Sequence, residues 1–180
     1  MDPKTDRGSA VDLRDLRADA HALSAEAFED RHGSAFLLLT AAELSVPSGP
    51  STTQVRLLDD EEHPCESTAS LSLVAFPVRR TGRSVGHLVT IGRASNNDLA
   101  VPDVSISRFH AFLKVGADGA WQIQDAGSTN GTTVNGDHVP QQGHGAAVSL
   151  KAGDTVRFGQ VELTFLGAAE MQGFVKKLER

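Results

Sequence analysis

The spacing of hydrophobic positions changes along the chain and divides it into two parts. Between residues 11 and 31, leucine and alanine recur at alternating intervals of three and four, at Leu13, Leu16, Ala20, Leu23 and Ala27. This spacing places the apolar side chains on one face of a helix, and Gly33 after it is a typical stop signal. We therefore predict one amphipathic helix over 11–31. Its apolar face is expected to dock on the neighbouring domain or to self-associate; a dedicated partner-binding helix is the alternative.

From about residue 71 the pattern becomes that of short β-strands separated by turns rich in Gly, Asn and Asp. In 155–158 and 161–165 every second position is apolar, which gives a strand one buried face and one exposed face. The predicted strands are 71–78, 88–92, 111–115, 121–124, 132–134, 147–150, 155–158 and 161–165. Strands at this spacing, with no helical pattern between them, predict an all-β antiparallel sandwich. Met171, Phe174, Val175 and Leu178 follow helical spacing and predict a short C-terminal helix.

Charge and composition support the same division of the chain. Residues 1–66 carry 14 acidic and 6 basic side chains, whereas residues 67–180 carry 9 and 11. The stretch 47–67 is rich in Ser, Pro and acidic residues and is typical of a mobile loop, and the apolar run 35–39 fits either a helix or a strand. We therefore predict an acidic helical segment with a flexible loop over 1–66 and a sandwich domain with a C-terminal helix over 67–180.

Several classes of protein are disfavoured by composition. The single cysteine, Cys65, excludes an internal disulfide and a cysteine-based metal cage. The chain has a net charge of −6 and no concentrated basic patch, which disfavours duplex nucleic acid as a partner. The N-terminus is polar, and no apolar run approaches the roughly 20 residues that a membrane-spanning helix needs. We expect a cytoplasmic protein that binds neither membrane nor nucleic acid.

Three polar clusters interrupt the strands, and each lies in a predicted loop. They are 91–93, 105–111 and 125–136. Hydroxyl, amide and guanidinium groups dominate them, and they contain no pair of carboxylates. An arginine supplies a charged planar donor, serine and threonine supply hydroxyls, and loop glycines allow backbone N–H groups to come close to a ligand. This combination indicates a binding site for a small anion.

At these clusters the sequence resembles the forkhead-associated (FHA) family. The family's Gly-Arg motif stands at Gly92-Arg93, its Ser-Arg-x-His motif at 107–110, and its Asn-Gly-Thr-x-Val-Asn-Gly motif at 130–136. Two later family dipeptides appear as Gly153-Asp154 and Phe158-Gly159. The three main motifs occur in order, and the resemblance covers about residues 70–167 and leaves residues 1–66 outside it.

The resemblance implies an FHA-like β-sandwich whose loops bind a phosphothreonine in a partner protein, a substrate of a Ser/Thr protein kinase. In the family pattern Arg93 grips the phosphate, Ser107 and Thr129 donate hydroxyls, Asn130 bonds the peptide main chain, and Arg108 joins at the rim. Structural support is expected from Gly92, His110, Gly131, Asn135 and Gly136. His110 is expected to hold its loop from beneath without touching the ligand.

One position departs from the family pattern and bears on specificity. Ser105 stands where some members carry a basic residue that reads the ligand beyond the phosphothreonine. The resemblance therefore leaves the preferred sequence around the phosphothreonine open.

Catalytic and metal-binding interpretations of the same residues find little support. Ser107 and His110 could suggest a nucleophile and a base, but no Gly-x-Ser-x-Gly elbow surrounds the serine. The seven histidines contain no paired metal-ligand motif. We predict a phosphothreonine-dependent adaptor that is not an enzyme and needs no cofactor or metal. The alternative is an FHA-like interaction domain that works without phosphate.

Overall fold

The computed structural model describes residues 11–40, 73–79, 87–117 and 119–178. Within these ranges three helices occur: α1 (Leu13–Ala22), α2 (Ala25–His32) and α3 (Ala168–Lys177). None of the described helices is long and apolar enough to span a bilayer. The predicted loop over 47–67 lies outside the described residues.

The strands form two sheets that face each other as a sandwich. In chain order they are β1 (Val11–Asp12), β2 (Ala35–Thr40), β3 (Leu73–Val78), β4 (Val89–Gly92), β5 (Leu99–Ala100), β6 (Ala111–Val115), β7 (Trp121–Asp125), β8 (Thr132–Val134), β9 (Asp137–His138), β10 (Val148–Ser149), β11 (Thr155–Phe158) and β12 (Val161–Gly167). One sheet has the order β1-β3-β2-β12-β11-β8-β9 and the other β10-β7-β6-β4-β5. The described pairs are antiparallel apart from β4 with β5. The predicted all-β sandwich is therefore confirmed.

The prediction of one continuous helix over 11–31 was wrong, because the chain forms two helices with a break at residues 23–24. Ser24 is the N-cap of α2, and its Oγ accepts a hydrogen bond from the N–H of Ala27 at 3.2 Å. An N-cap residue has extended backbone and cannot continue a preceding helix. Gly33, the predicted stop signal, is the C-cap of α2 with a φ of 105°.

The helices form a third layer on the outer face of the seven-stranded sheet. The apolar side chains of α1, α2 and α3 form one buried cluster with residues of that sheet. Its members are Leu13, Leu16, Ala20, Phe28, Phe36, Leu38, Ala75, Ala168, Met171 and Val175. Within this layer the side-chain amide of Gln172 donates to the carbonyls of Ala20 and Leu23, at 3.0 and 2.9 Å. The apolar face of the N-terminal helices is therefore docked on the rest of the chain. Self-association through helix 11–31 stays a prediction.

Strand β2 explains why the run 35–39 showed no clear pattern. Its residues Ala35, Leu37 and Leu39 face the core between the two sheets, whereas Phe36 and Leu38 face the helical layer. A strand that is buried on both faces needs no polar alternation. Because β2 pairs with both β12 and β3, the sandwich includes residues from the segment 1–66. The division of the chain at residue 66 stays a prediction about its organisation.

Candidate functional site

The three polar clusters converge at the ends of strands of the five-stranded sheet. The first loop follows β4, the second precedes β6, and the third joins β7 to β8. Backbone hydrogen bonds hold the first two together, since the N–H of Arg93 donates to Ser107 O at 2.9 Å and that of Ala94 to Arg108 O at 3.2 Å. Four predicted binding residues line one cavity here: Arg93, Ser107, Arg108 and Thr129.

Arg93 is exposed, but its guanidinium is anchored at one point. Its Nε donates to the carbonyl oxygen of Ile106 at 3.1 Å. The two terminal nitrogens have no hydrogen-bond partner among the described residues. A guanidinium fixed through Nε presents its other donors in a defined direction, which suits it to bind an anion through two parallel hydrogen bonds.

Ser107 and Thr129 come together from loops that are 22 residues apart in the chain. The N–H of Thr129 donates to Ser107 Oγ at 3.1 Å, and Ser107 Oγ lies 3.4 Å from Thr129 Oγ1. The exposed hydroxyl of Thr129 is thus held beside that of Ser107. An incoming anion would meet two hydroxyls and a guanidinium whose positions are already set, which limits the entropy lost on binding.

Gly92 is required where the first two loops touch. A Cβ at this position would lie 2.3 Å from the carbonyl oxygen of Arg108 and 2.9 Å from Nδ2 of Asn97. The same Asn97 Nδ2 donates to Ala94 O and to Arg108 O, each at 2.7 Å. The side chain of Asn97 therefore fastens the loop of Arg93 to the loop of Ser107, in a space that only a glycine leaves open.

His110 is fully buried beneath the loops and connects two of them. The N–H of Ser107 donates to its Nδ1 at 3.0 Å, and its Nε2 lies 3.1 Å from the carbonyl oxygen of Gly131. These partners assign an acceptor Nδ1 and a protonated Nε2, which is the neutral imidazole. Burial lowers the pKa of His110, although the bond to Gly131 and the charge of Asp125 act against this shift.

Asp125, which sequence reasoning did not single out, organises the third loop. Its Oδ1 accepts hydrogen bonds from the N–H groups of Gly127 and Ser128, each at 2.8 Å, and its Oδ2 accepts from Ser128 Oγ and Thr132 Oγ1, each at 2.6 Å. Burial alone would raise the pKa of Asp125, but these four hydrogen bonds together lower it. An aspartate two residues before a glycine is a known turn signal and could have pointed to this role.

Asn130, Asn135 and Gly136 lie outside the group around Arg93. The amide of Asn130 donates to Ser105 O at 2.7 Å and so bridges the second and third loops. Asn135 and Gly136 form the hairpin turn between β8 and β9, with φ of 52° and 89°. There Asn135 bonds Asp154 and Thr155, so these two residues shape a neighbouring turn. The roles predicted for all three stay predictions.

The site as a whole offers donors of hydrogen bonds and positive charge to an anion. The described residues that line its cavity include Arg93 and Arg108 and none that is acidic. Both ring nitrogens of His110 are already engaged in hydrogen bonds, with Ser107 and Gly131. Among the described residues, no group of three His, Cys, Asp or Glu side chains is placed to hold a metal ion. The arrangement is suited to binding and provides no nucleophile with an adjacent free base.

Two substitutions should separate support from contact. We expect His110→Ala to lower the free energy of unfolding by about 1 kcal/mol more than Ser107→Ala, because it empties a buried site and breaks two part-buried hydrogen bonds. Ser107→Ala should leave stability nearly unchanged and weaken anion binding. Urea denaturation of both variants measures the difference. Equal losses of stability in the two variants would contradict the assignment of His110 to structural support and of Ser107 to anion contact.

Lowering the pH is expected to reduce the free energy of unfolding in two steps, the first through His110 and the second through Asp125. The pKa of His110 in the folded state lies below its ordinary value of 6.5, so the unfolded chain takes up a proton first as the pH falls, and stability decreases below about pH 6.5. The pKa of Asp125 lies below 3.8, so its contribution is present above that pH and is lost as the pH falls through the folded value. Denaturation at pH 7.5 and pH 5 should show a smaller decrease for His110→Gln than for the unmodified protein. An equal decrease in both would show that His110 does not cause the first step.

The three loops of this site lie within a segment that matches a known protein family. The profile of the FHA domain family matches residues 89–159, which include all three loops. An ABC transporter ATP-binding/permease protein of Mycobacterium tuberculosis is 41% identical over 96 residues, which is 53% of this chain and 10% of that protein. An oxoglutarate dehydrogenase inhibitor of Corynebacterium glutamicum is 37% identical over 82 residues, 45% of this chain and 52% of that protein. The chain thus spans about half or less of the length of these relatives.

A solved structure, the FHA domain of the CT664 protein from Chlamydia trachomatis, aligns with 74% of this chain and 97% of its own, at 23% identity and a TM-score of 0.45. The family match itself rests on the profile and on the three motifs, which occupy the loops described above. Residues 89–159 of this chain match the FHA domain family.

Proposed function

We propose that this protein is a phosphothreonine-dependent adaptor that binds a phosphorylated segment of a partner protein and catalyses no reaction. The observation that carries the proposal is the convergence of Arg93, Ser107 and Thr129 in one cavity. In FHA-like domains the residues at these positions hold the phosphate. The partner would be a substrate of a Ser/Thr protein kinase.

Energetics favour reversible recognition. A phosphate carries about −1.5 to −2 charges at neutral pH, and charge-assisted hydrogen bonds contribute roughly 1.5 to 3 kcal/mol each. Four such bonds would contribute roughly 6 to 12 kcal/mol, from which association costs of several kcal/mol are subtracted. A dissociation constant of about micromolar order is expected. The name of the similar oxoglutarate dehydrogenase inhibitor is compatible with a protein that acts by binding.

The test is calorimetric titration of the full chain with a phosphothreonine peptide library, the same library without phosphate, and a phosphoserine version. Binding confined to the phosphothreonine library supports the proposal. Equal binding of the unphosphorylated library would support the alternative, an interaction domain that works without phosphate, and absence of binding to all three libraries would contradict both.

A further inference from the structure

The site around Arg93 carries positive charge that no described carboxylate balances. The terminal nitrogens of Arg93 have no hydrogen-bond partner among the described residues, and the exposed guanidinium of Arg108 forms no hydrogen bond or ion pair with any of them. Asp103 and Asp125, which lie in the adjacent loops, are buried and accept hydrogen bonds from groups of their own loops. Two guanidinium groups that line one cavity are therefore available to an anion.

The negative charge of the chain is concentrated in one segment. Residues 41–72 contain six acidic side chains and one basic side chain, Arg56, whereas the net charge of the whole chain is −6. Four of the six acids are consecutive, at 59–62. The segment connects β2 to β3 and lies outside the described residues, so the positions of its two ends decide which surfaces it can reach.

Both ends of this segment lie beside the start of β12. Thr40, the last residue of β2, pairs with Leu73, the first residue of β3. Strands β2 and β12 are antiparallel, and Leu38 pairs with Thr164, so β2 runs towards Val161, where β12 begins. The segment 41–72 therefore leaves and re-enters the seven-stranded sheet at that end.

The start of β12 is in direct contact with the polar loops of the site. In the turn between β11 and β12, the N–H of Gly159 donates to Gly131 O at 3.0 Å, and the N–H of Gln160 donates to Ser105 Oγ at 3.0 Å. Gly131 belongs to the third loop and Ser105 to the second. Because facing sheets pack about 10 Å apart, the ends of segment 41–72 lie at the same end of the sandwich as Arg93.

The acidic run 59–62 is close enough along the chain to reach Arg93. Eighteen residues separate the run from Thr40, and ten separate it from Leu73. Extended chain covers about 3.3 Å per residue, so ten residues can span roughly 33 Å, which is roughly three times the spacing of two packed sheets. A group that is tethered over such a distance reaches an effective concentration of about millimolar order.

Carboxylates are chemically suited to this site. A carboxylate accepts two parallel hydrogen bonds from one guanidinium, and the two terminal nitrogens of Arg93 offer that geometry. The cavity has a volume of about 1170 Å³ and no acidic residue among its described lining residues, so it has room for several acidic side chains. A phosphate carries about −1.5 to −2 charges at neutral pH, more than the single charge of a carboxylate, so a phosphothreonine can displace the carboxylate.

We propose that the acidic run 59–62 occupies the cavity of Arg93 and Arg108 in the free protein and is displaced when a phosphothreonine binds. The occupant belongs to the same chain, and the contact requires no phosphorylation of that segment. The inference rests on the proposed phosphothreonine site, because it assigns a regulator to that site. One consequence is selectivity, since unphosphorylated acidic segments of other proteins have to compete with carboxylates that are tethered nearby.

The first experiment neutralises the acidic run. The variant combines Asp59→Asn, Asp60→Asn, Glu61→Gln and Glu62→Gln, and calorimetry compares it with the unmodified full chain. The probe is the phosphothreonine peptide that the unmodified chain binds most tightly. We expect the variant to bind about fivefold more tightly at about 0.01 M salt, where charges act over roughly 30 Å, and nearly equally at about 1 M, where they act over roughly 3 Å.

The matched control removes the same charge from another surface. Glu26→Gln, Glu29→Gln, Asp30→Asn and Glu170→Gln neutralise four exposed acids of α2 and α3, on the outer face of the seven-stranded sheet. This control should change the affinity by less than about twofold, because those charges are remote from the cavity and screened. An equal gain in both variants would overturn the proposal. No gain in the acidic-run variant, while the unmodified chain binds phosphopeptide, would also overturn it and leave the phosphothreonine site intact.

NMR spectra of the free chain test the contact without any peptide. Neutralising the acidic run should shift the amide signals of Ser107 and Thr129, whereas the control variant should leave these signals in place. Unchanged signals in the acidic-run variant would overturn the docking of the run. Failure of both chains to bind any phosphopeptide would instead overturn the phosphothreonine site, which distinguishes the two results.

The molar mass of the free chain tests whether the contact is intramolecular. We expect the unmodified chain and the acidic-run variant to be monomers at every concentration measured. A dimer of the unmodified chain that the variant no longer forms would show that the run binds a neighbouring copy, and it would overturn the intramolecular contact.

Discussion

Arg93→Ala is expected to weaken phosphopeptide binding by about 100-fold or more while the fold persists. The guanidinium supplies the charge and two donors that remain without partners among the described residues, and charge-assisted hydrogen bonds are worth roughly 1.5 to 3 kcal/mol each. Its contribution to the fold is a single hydrogen bond from Nε to Ile106 O. The loss should therefore appear in calorimetric affinity and hardly in the melting temperature.

Two further variants sharpen this result. Arg93→Lys keeps the charge but loses the planar pair of donors, so we expect it to recover only part of the affinity. Arg157→Ala removes an exposed arginine of β11 that lies outside the cavity, and it should bind like the unmodified protein. Unchanged affinity in folded Arg93→Ala would show that the phosphate is bound elsewhere.

The sandwich could be predicted from sequence because its strands carry the signal locally. Strand β11 alternates between the core and solvent, and its observed bounds, Thr155–Phe158, equal the predicted ones. The Asn135-Gly136 turn is equally local, because an Asn-Gly pair between two strands is typical of a tight hairpin, and both residues have positive φ. Such features depend on the burial or backbone conformation of a few adjacent residues. A short stretch of sequence is therefore enough to predict them.

The features that were missed depend on contacts between distant segments. The run 35–39 lacks alternation because two different layers cover its faces, and neither layer is visible from the run itself. The break at Ser24 was hidden because Leu23 and Ala27 continue the helical spacing across it. In each case the apolar pattern correctly indicated that the side chains are buried, but it did not indicate which elements cover them.

The candidate site was predictable to the extent that family motifs mark it. The motifs placed Arg93 and Ser107 in one site, and the structure brings both into one cavity. The motifs did not indicate the role of Asp125, because that role depends on the hydrogen bonds its carboxylate accepts from Ser128 and Thr132 in the folded third loop.

Asp125→Ala is expected to destabilise the fold by about 3 to 5 kcal/mol, the largest effect on stability among these variants. The carboxylate accepts four hydrogen bonds, and its removal would leave two buried hydroxyls and two N–H groups of the third loop without an acceptor. The N–H of Gly131 donates to Ser128 Oγ, so the loss should spread to the loop segment that His110 also holds.

Because Thr129 lies inside this loop, Asp125→Ala should also weaken phosphopeptide binding under conditions in which the variant is still folded. Urea denaturation and calorimetry measure the two effects, with Asp137→Ala as the control. Asp137 is exposed in β9, so its removal should cost less than about 0.5 kcal/mol. A loss below about 1 kcal/mol for Asp125→Ala would mean that water replaces the carboxylate as acceptor and that the third loop is held by other contacts. We therefore expect Asp125, which does not itself contact the phosphopeptide, to control both the stability of the domain and the position of Thr129 in the binding site.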